Sequence, residues 1–283
     1  RAFDIMREIY SPFLRTGNPI INMDIRSAEM TKYAANAFLA TKISFINEIS
    51  GLCDLVGADV AEVRVGIASD KRIGSQFLFP GLGYGGSCFP KDVKALIKTG
   101  HDFKYPLNIL QAVDERNQAM RAQFLTQVLS YFKGDVKGKV FALWGLAFKP
   151  RTDDMREAPA ITIIEELLKR GAKIQAFDPK AVETARGVFG NKITYCDSGY
   201  DALKGADALL LVTEWNEFRR PDFDKMKTLM RGQAIFDGRN QYETDRMGRR
   251  GFDYFCVGRP HHPASEFDST TTESESYSLP GGV

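Results

Sequence analysis

The distribution of apolar residues divides this chain into a helical first half and a second half of short alternating segments. Between residues 24 and 56 apolar side chains recur close to the α-helical period. These apolar positions are Met30, Tyr33, Ala34, Ala37, Phe38, Ile43, Ile46, Ile49 and Leu52. Asp24 is suited to cap the start of this long helix, Gly57 to end it, and Asp59 to begin another over 60–68. Three further helices are predicted over residues 2–14, 92–98 and 107–132.

From residue 139 onward the pattern changes to short apolar runs that alternate with helical segments. The predicted strands cover residues 140–146, 173–178, 193–196, 208–213, 234–237 and 254–257, with a helix over 158–170 after the first of them. Alternation of this kind is typical of a parallel, Rossmann-like sheet. The short apolar run at residues 19–23 also predicts a strand. The predicted fold class is therefore α/β, a long central helix and helical region followed by a Rossmann-like parallel sheet.

These elements suggest four segments, with a turn-rich hinge at residues 134–138 between the two main ones. The segments are residues 1–23, a helical region 24–134, a sheet region 135–260, and a Ser-, Thr-, Glu- and Gly-rich tail 261–283 that is predicted to be disordered. The long helix is apolar on more than one side, so we expect it to link the two regions and to pack against a second subunit.

Composition excludes several classes of protein. The chain has 43% hydrophobic and 26% charged residues and a net charge of +2, which gives no electrostatic case for binding nucleic acid or membranes. No apolar run approaches the length of a membrane span. The four cysteines lie far apart, without metal-ligand spacing, so we expect no metal site and a reducing, cytoplasmic location.

The most distinctive chemistry lies in residues 83–92, GYGGSCFPKD, which run directly into a helical pattern. Glycines permit backbone conformations that are closed to other residues and allow close approach of a ligand. Cys88 lies at the expected start of the helix, where backbone N–H groups and the helix dipole favour a thiolate. Lys91 adds positive charge and Asp92 a proton acceptor, so the segment is predicted to be a nucleophile loop.

This run closely resembles the active-site signature of the UDP-glucose/GDP-mannose dehydrogenase family, and residues 31–36, TKYAAN, resemble the family's second motif. The resemblance implies that Cys88 attacks an aldehyde intermediate, giving a thiohemiacetal that is oxidised to a thioester. Lys32 is then an acid/base at the oxidised carbon, and Asn36 hydrogen-bonds the developing oxyanion. Asp92, with an associated water, takes part in proton handling.

Segments around residues 72–79, 148–149, 153–157 and 236–239 also match the family. By resemblance, Arg72 reaches the substrate of a neighbouring subunit, Arg156 approaches NAD together with Cys88, and the sheet region binds a UDP-sugar. The remaining residues that the resemblance assigns to the nucleotide-sugar are Phe77, Phe79, Tyr84, Gly85, Lys91, Phe148, Lys149 and Arg239. The implied reaction is the NAD-dependent, two-step oxidation of UDP-glucose to UDP-glucuronate in a homodimer or larger homo-oligomer.

The turn after the first predicted strand raises the question of a second dinucleotide site. Asp178 ends the next strand, as in cofactor-binding units, but the turn contains only Gly145 and lacks the second and third glycines of the fingerprint. We therefore expect no standard NAD site there. Nothing before Cys88 resembles that fingerprint either, so most of the family's amino-terminal NAD domain is expected to be missing and this chain to be inactive alone.

Three alternatives stay open at this point. A GDP-mannose-oxidising member of the family shares the chemistry but recognises a purine. A Cys88 hydrolase or acyltransferase has little support, because the three histidines show no recognisable pairing with a cysteine. The chain alone is also compatible with a non-catalytic nucleotide-sugar-binding and dimerisation module.

Overall fold

The first half of the protein is helical, as seen in a computed structural model that describes residues 1–14 and 20–260. The helices of this half are α1 (Ala2–Tyr10, followed by a 3₁₀ turn at Ser11–Phe13), α2 (Ile25–Val56), α3 (Val60–Ala68), α4 (Phe89–Asp102) and α5 (Asn108–Tyr131). The predicted tail at 261–283 and the predicted turn at 16–19 fall outside the described residues.

The long helix α2 begins and ends where its capping residues predict. The Asp24 carboxylate accepts a hydrogen bond from the Ser27 backbone N–H at 3.1 Å. Gly57 ends the helix in the left-handed conformation, with φ of 73°, and Asp59 starts α3 by accepting from the Ala61 N–H at 2.7 Å. These boundaries are confirmed because a cap is a local feature that needs no distant partner.

The second half is an α/β unit built on six parallel strands. Its elements in chain order are β1 (Val140–Trp144), α6 (Pro159–Lys169), β2 (Lys173–Phe177), α7 (Val182–Phe189), β3 (Thr194–Tyr195), α8 (Gly199–Leu203), β4 (Ala208–Leu211), a 3₁₀ turn at Asn216–Phe218, α9 (Phe223–Leu229), β5 (Ala234–Asp237), α10 (Thr244–Arg249) and β6 (Asp253–Cys256). The strand order β3-β2-β1-β4-β5-β6 is that of a Rossmann-like sheet, which confirms the predicted fold class.

Helix α5 belongs to both halves. Near its start Val113 packs with Ala37 of α2 and Val93 of α4 in a small helical core. Near its end Phe124 and Val128 pack into the apolar core on one face of the sheet, where the Phe124 ring lies 6.4 Å from that of Phe236. The opposite face of the sheet carries a second core that includes a stack of Trp144 on Phe218, with ring centroids 4.9 Å apart. The two halves therefore share one helix.

Two predicted elements are wrong or displaced. Residues 20–23 form no strand, and Ile21 is 71% exposed, because the described part of the chain offers them no neighbouring strand with which to pair. Helix α4 starts at Phe89 rather than at Asp92, since Cys88 already occupies the capping position and Pro90 suits the first turn. The proposed borders between the four segments stay predictions.

Two findings concern the described residues only. None of their helices is long and apolar enough to cross a membrane. No group of three or more His, Cys, Asp or Glu side chains within the same ranges is arranged to hold a metal ion.

Candidate active site

The glycines of the nucleophile loop are required by close packing against the protein itself. A Cβ at Gly85 would lie 2.4 Å from the Glu157 carbonyl oxygen, and one at Gly86 would lie 2.7 Å from the Phe148 ring. Gly86 also has a φ of 84°, and its N–H donates to the Arg156 carbonyl at 2.7 Å. The loop is thus pressed against the turn that follows β1, which links the two halves at this point.

Cys88 is the capping residue of α4 and is exposed to solvent. Its sulfur lies 3.7 Å from the Ser87 hydroxyl oxygen. Two positive side chains are close enough to act on it electrostatically, Lys91 of α4 and Arg156 of the opposite half. The thiol is therefore accessible and lies in positive surroundings, as a cysteine nucleophile requires.

Asp92 lies one helical turn after Cys88 and gathers three side chains from two helices. Its buried carboxylate, only 4% exposed as a residue, accepts hydrogen bonds from Asn36 Nδ2 at 2.6 Å and Lys91 Nζ at 2.5 Å. The ammonium of Lys32 lies 3.7 Å from the same oxygen that Asn36 contacts. Lys32 and Asn36 therefore share one face of α2, as their spacing of four residues predicts.

Two opposing effects act on the pKa of Asp92. Burial, the largest, raises the pKa of this carboxyl, but the hydrogen bonds from Lys91 and Asn36 and the charges of both lysines together hold it below the usual value of an aspartate. The hydrogen bond to Asp92 in turn is the main cause that raises the pKa of Lys91. Asp92 is consequently an anion at neutral pH and serves as a fixed acceptor.

A pocket of about 360 Å³ opens beside the nucleophile loop, between the two halves. It brings together most of the predicted nucleotide-sugar residues, namely Phe77, Phe79, Tyr84, Gly85, Phe148, Lys149 and Arg239. Phe77 has a φ of 63°, an uncommon conformation for a large side chain, and its ring packs 5.9 Å from that of Phe89. The pocket therefore combines aromatic side chains with two cations, Lys149 and Arg239.

Arg239 lies where this pocket meets a larger cleft of about 1010 Å³, and Phe79 and Glu214 line both. The Arg239 side chain is mostly buried and donates from Nε to the Val212 carbonyl at 2.7 Å, and the same Nε forms an ion pair with Glu214 Oε2 at 3.2 Å, without a hydrogen bond. Its buried Nη2 has no hydrogen-bond partner in the described protein. A buried guanidinium nitrogen without an acceptor is costly, so this arrangement suits an anionic ligand.

Two of the residues predicted to bind the substrate, Arg72 and Lys91, do not line the pocket. Arg72 extends into solvent and pairs with Asp70 at 2.6 Å, so its predicted role toward a neighbouring subunit stays a prediction. Phe79 does line the pocket but is 57% exposed, and the Arg64 guanidinium lies 4.1 Å over its ring. Lys91 points to Asp92 and Tyr33 rather than into the pocket, with Nζ 5.4 Å from the Tyr33 ring centre.

The turn after β1 is not arranged to bind a dinucleotide. The Asp178 carboxylate accepts hydrogen bonds from the backbone N–H groups of Leu146 at 2.7 Å and Ala147 at 3.0 Å. In a dinucleotide site such N–H groups are free to bind the pyrophosphate. An internal carboxylate already satisfies them here, so the residues of this turn do not fit NAD.

The sequence reasoning missed Asn117 and Arg121 of α5, which contact the backbone of the nucleophile loop and are both buried. The available signal was weak. Two polar residues four positions apart on a largely buried helix face resemble the Lys32 and Asn36 pair, but no motif marks them.

Comparison with known proteins gives two family matches. The model of the central domain of the UDP-glucose/GDP-mannose dehydrogenase family matches residues 26–119, and the model of that family's UDP-binding domain matches residues 142–244. The matches together include the nucleophile loop, the Lys32 and Asn36 pair, and all the sheet residues that line the pocket.

Individual relatives agree with these matches. UDP-glucose 6-dehydrogenase of Pseudomonas aeruginosa is 49% identical over 265 residues, which cover 92% of this chain and 58% of that protein. The enzyme of the same name from Rhizobium meliloti is 44% identical over 260 residues, 92% of this chain and 59% of that one. The solved UDP-glucose dehydrogenase of Pyrobaculum islandicum superimposes with a TM-score of 0.76 at 37% identity, over 84% of this chain and 53% of that one. The chain thus spans between half and three fifths of each relative.

Proposed function

This chain belongs to the UDP-glucose/GDP-mannose dehydrogenase family, and we propose that it carries the nucleophile and the nucleotide-sugar site for oxidation of UDP-glucose to UDP-glucuronate. The observation that carries this proposal is that Cys88 lies one helical turn before the Asp92 cluster, on a loop whose Tyr84 and Gly85 line the aromatic, cationic pocket.

The proposed chemistry runs in two oxidations and a hydrolysis. The C6 alcohol of the sugar loses two electrons and two protons to become an aldehyde, and the Cys88 sulfur adds to its carbon to form a thiohemiacetal. Loss of a further two electrons and two protons gives a thioester. Water then cleaves the carbon–sulfur bond, which releases the carboxylate and restores the thiol. NAD⁺ is the proposed oxidant, and Arg156, 69% exposed beside Cys88, is the residue of this chain proposed to face it.

The side chains around Asp92 supply the proton and charge handling in this proposal. Lys32 exchanges a proton with the oxygen on C6, and Asn36 donates to the oxygen when it becomes negative. One N–H of the Asn36 amide is already bound to Asp92, and the second N–H is the donor that this proposal assigns to the substrate oxygen. Because its pKa is held low, Asp92 stays ionised, and its proposed role is to orient Lys32, Asn36 and a water for thioester hydrolysis.

The pocket is proposed to hold the nucleotide part of the substrate. Phe77 and Phe148 offer apolar faces to the base and ribose, while Lys149 and Arg239 offer two positive charges to the pyrophosphate. Glu214 opposes part of that charge through its contact with Arg239. The unpartnered Nη2 of Arg239 is therefore the group expected to contribute most to binding.

We further propose that two copies of the chain associate through the outer face of α2. Phe38, Phe45 and Leu52 are each at least half exposed and follow one another at intervals of seven residues, which aligns them in one stripe. Phe45→Glu is expected to convert a dimer to a monomer in sedimentation equilibrium, whereas Val188→Glu on α7 is the matched exposed control. A wild-type chain that sediments as a monomer contradicts this part of the proposal.

The nucleotide-sugar assignment is tested by isothermal titration of the chain with UDP-glucose. Arg239→Ala is expected to weaken binding at least tenfold, because it removes a buried donor. The control is Arg219→Ala, which lines the larger cleft but not the pocket. Failure of the well-folded wild type to bind UDP-glucose contradicts the proposal, and stronger binding of GDP-mannose assigns the chain to that substrate instead. The chain alone is expected not to reduce NAD⁺, since its described residues form no dinucleotide turn.

A further inference from the structure

The backbone of the nucleophile loop is held by a single side-chain amide from α5. Asn117 Oδ1 accepts from the Tyr84 N–H at 2.7 Å, and Asn117 Nδ2 donates to the Tyr84 carbonyl at 3.1 Å. The amide thus pairs with both backbone groups of one residue, as a neighbouring strand would. A Cβ at Gly83 would lie 2.3 Å from the same Oδ1, so glycine at this position permits the close approach. Tyr84 precedes Cys88 by four residues.

Arg121 lies one turn further along the same face of α5 and joins the loop to the opposite half. Its Nη2 donates to the Glu157 carbonyl at 2.9 Å and approaches the Tyr84 carbonyl at 3.3 Å, and its Nη1 lies 3.4 Å from the Thr162 hydroxyl. One guanidinium therefore contacts the nucleophile loop, the turn after β1 and the start of α6.

The environment of Arg121 is unusual for a positive charge. The residue is 8% exposed, and no ion pair within 4 Å among the described residues includes it. Burial is the main cause that lowers the pKa of its guanidinium, only partly offset by the more distant Glu157 carboxylate. Burying a charge whose partners are neutral oxygens costs stability, so Arg121 is more readily explained by the geometry that it fixes than by a gain in stability.

The loop is also fixed from its other side, since Gly86 donates its N–H to the carbonyl of Arg156. Cys88 follows two residues later, so the loop enters α4 from a position that contacts with both halves define. We propose that Asn117 and Arg121 are positioning residues, which lock the nucleophile loop onto the Arg156–Glu157 turn and thereby set the place of the Cys88 sulfur. This inference rests on the proposed role of Cys88 as the nucleophile.

Loss of either anchor frees the main chain between Tyr84 and Cys88. The sulfur then leaves its place at the start of α4, near the positive side chains of Lys91 and Arg156. Asn117→Ser and Arg121→Leu are therefore expected to slow alkylation of Cys88 by iodoacetamide about fivefold to tenfold. Gln118→Ala, an exposed position on α5 between the two, is the matched control and keeps the wild-type rate.

Peptide mass spectrometry of the full 283-residue chain reads all four cysteines in one experiment. Cys53 and Cys256 are buried and report any general unfolding, while Cys196, half-buried at the far edge of the sheet, is the internal reference. The expected result is slow alkylation of Cys88 with unchanged rates at the other three. A Cys88 rate within about twofold of wild type, with Cys53 and Cys256 still protected, overturns the inference.

Conservative variants and one measurement on the wild type complete the test. Asn117→Asp keeps the acceptor for the Tyr84 N–H, and Arg121→Lys keeps the charge, so both are expected to fold and to restore part of the rate. Hydrogen exchange on the wild type must find the Tyr84 and Gly86 amides protected, and fast exchange at Tyr84 overturns the inference without any variant. If Cys88 of the wild type reacts no faster than Cys196, the proposal that Cys88 is the nucleophile is contradicted. This outcome is distinct from a failure of the positioning inference.

Discussion

Two buried aspartates show how differently the two halves use the same group. Asp178 of the sheet half is 2% exposed and accepts from five N–H groups. Its donors are the backbone of Leu146, Ala147, Lys180 and Ala181 and the indole of Trp215, at 2.7 to 3.1 Å. Asp92 of the helical half is similarly buried, but its partners are the side chains of Asn36, Lys91 and Lys32.

Asp178 acts as a structural lock, a carboxylate that only fixes the fold, whereas Asp92 is an acceptor that can take part in a reaction. Backbone donors are fixed, so Asp178 has no capacity left for a ligand and occupies the N–H groups that a dinucleotide would need. The two lysines that reach Asp92 have side chains 63% and 65% exposed, so their ammonium groups can turn toward a substrate while the carboxylate stays in place. Burial alone therefore does not identify a functional carboxylate, whereas the nature and mobility of its donors do.

The largest effect is expected for Asp178→Ala. The substitution leaves four backbone N–H groups and one indole N–H without an acceptor in a buried turn, which we expect to cost about 3–5 kcal/mol of unfolding free energy. Urea denaturation measures it, with the exposed Asp197→Ala as the control. A loss below about 1 kcal/mol means that the turn re-satisfies its N–H groups and that Asp178 is not a lock.

A smaller loss of about 1–2 kcal/mol is expected for Asp92→Asn, because the released lysines regain water and the buried hydrogen bond from Asn36 loses only its charged acceptor. The same urea titration compares it with Asp102→Asn, an exposed substitution at the other end of α4. If Asp92→Asn costs as much as Asp178→Ala, the distinction between the two carboxylates breaks down.

The smallest effect is a change in the acid dependence of stability. Since the folded-state pKa of Asp92 is held below its ordinary value, its carboxylate stabilises the fold above the unfolded-state pKa, and this contribution is lost as the pH falls through the folded-state pKa. Unfolding free energy measured from about pH 5 down to about pH 3 should therefore fall less steeply in Asp92→Asn than in wild type. An identical slope in both proteins contradicts the lowered pKa.

Features that depend on residues close together in the chain could be predicted from the sequence alone. The period of α2 and the caps at Asp24 and Asp59 predicted the helix boundaries, and the alternation after residue 139 predicted the parallel sheet. The run at 83–92 and the Lys32 and Asn36 pair predicted a cluster that the fold does assemble around Asp92. Their catalytic roles remain predictions.

Features that depend on residues far apart in the chain could not be predicted from the sequence. The position of Asp178 at a strand end was visible, but not that its carboxylate turns back onto the β1 turn. The role of Asn117 and Arg121 depends on the contact between α5 and a loop more than thirty residues earlier in the chain, which no local pattern indicates. The run at 20–23 satisfied the pattern of a strand, yet a strand exists only where another strand accepts its hydrogen bonds.

The sharing of α5 between two cores has a consequence for how the molecule unfolds. Val113 anchors the helix in one core, and Phe124 and Val128 anchor it in the other. Melting either core removes packing that the helix needs, and the helix is too dependent on that packing to persist alone in water. The two halves should consequently lose structure together, in a single calorimetric transition whose van't Hoff and calorimetric enthalpies agree. A nucleotide-sugar bound between them would then stabilise both halves at once, and protease susceptibility in either half would report occupancy of the pocket.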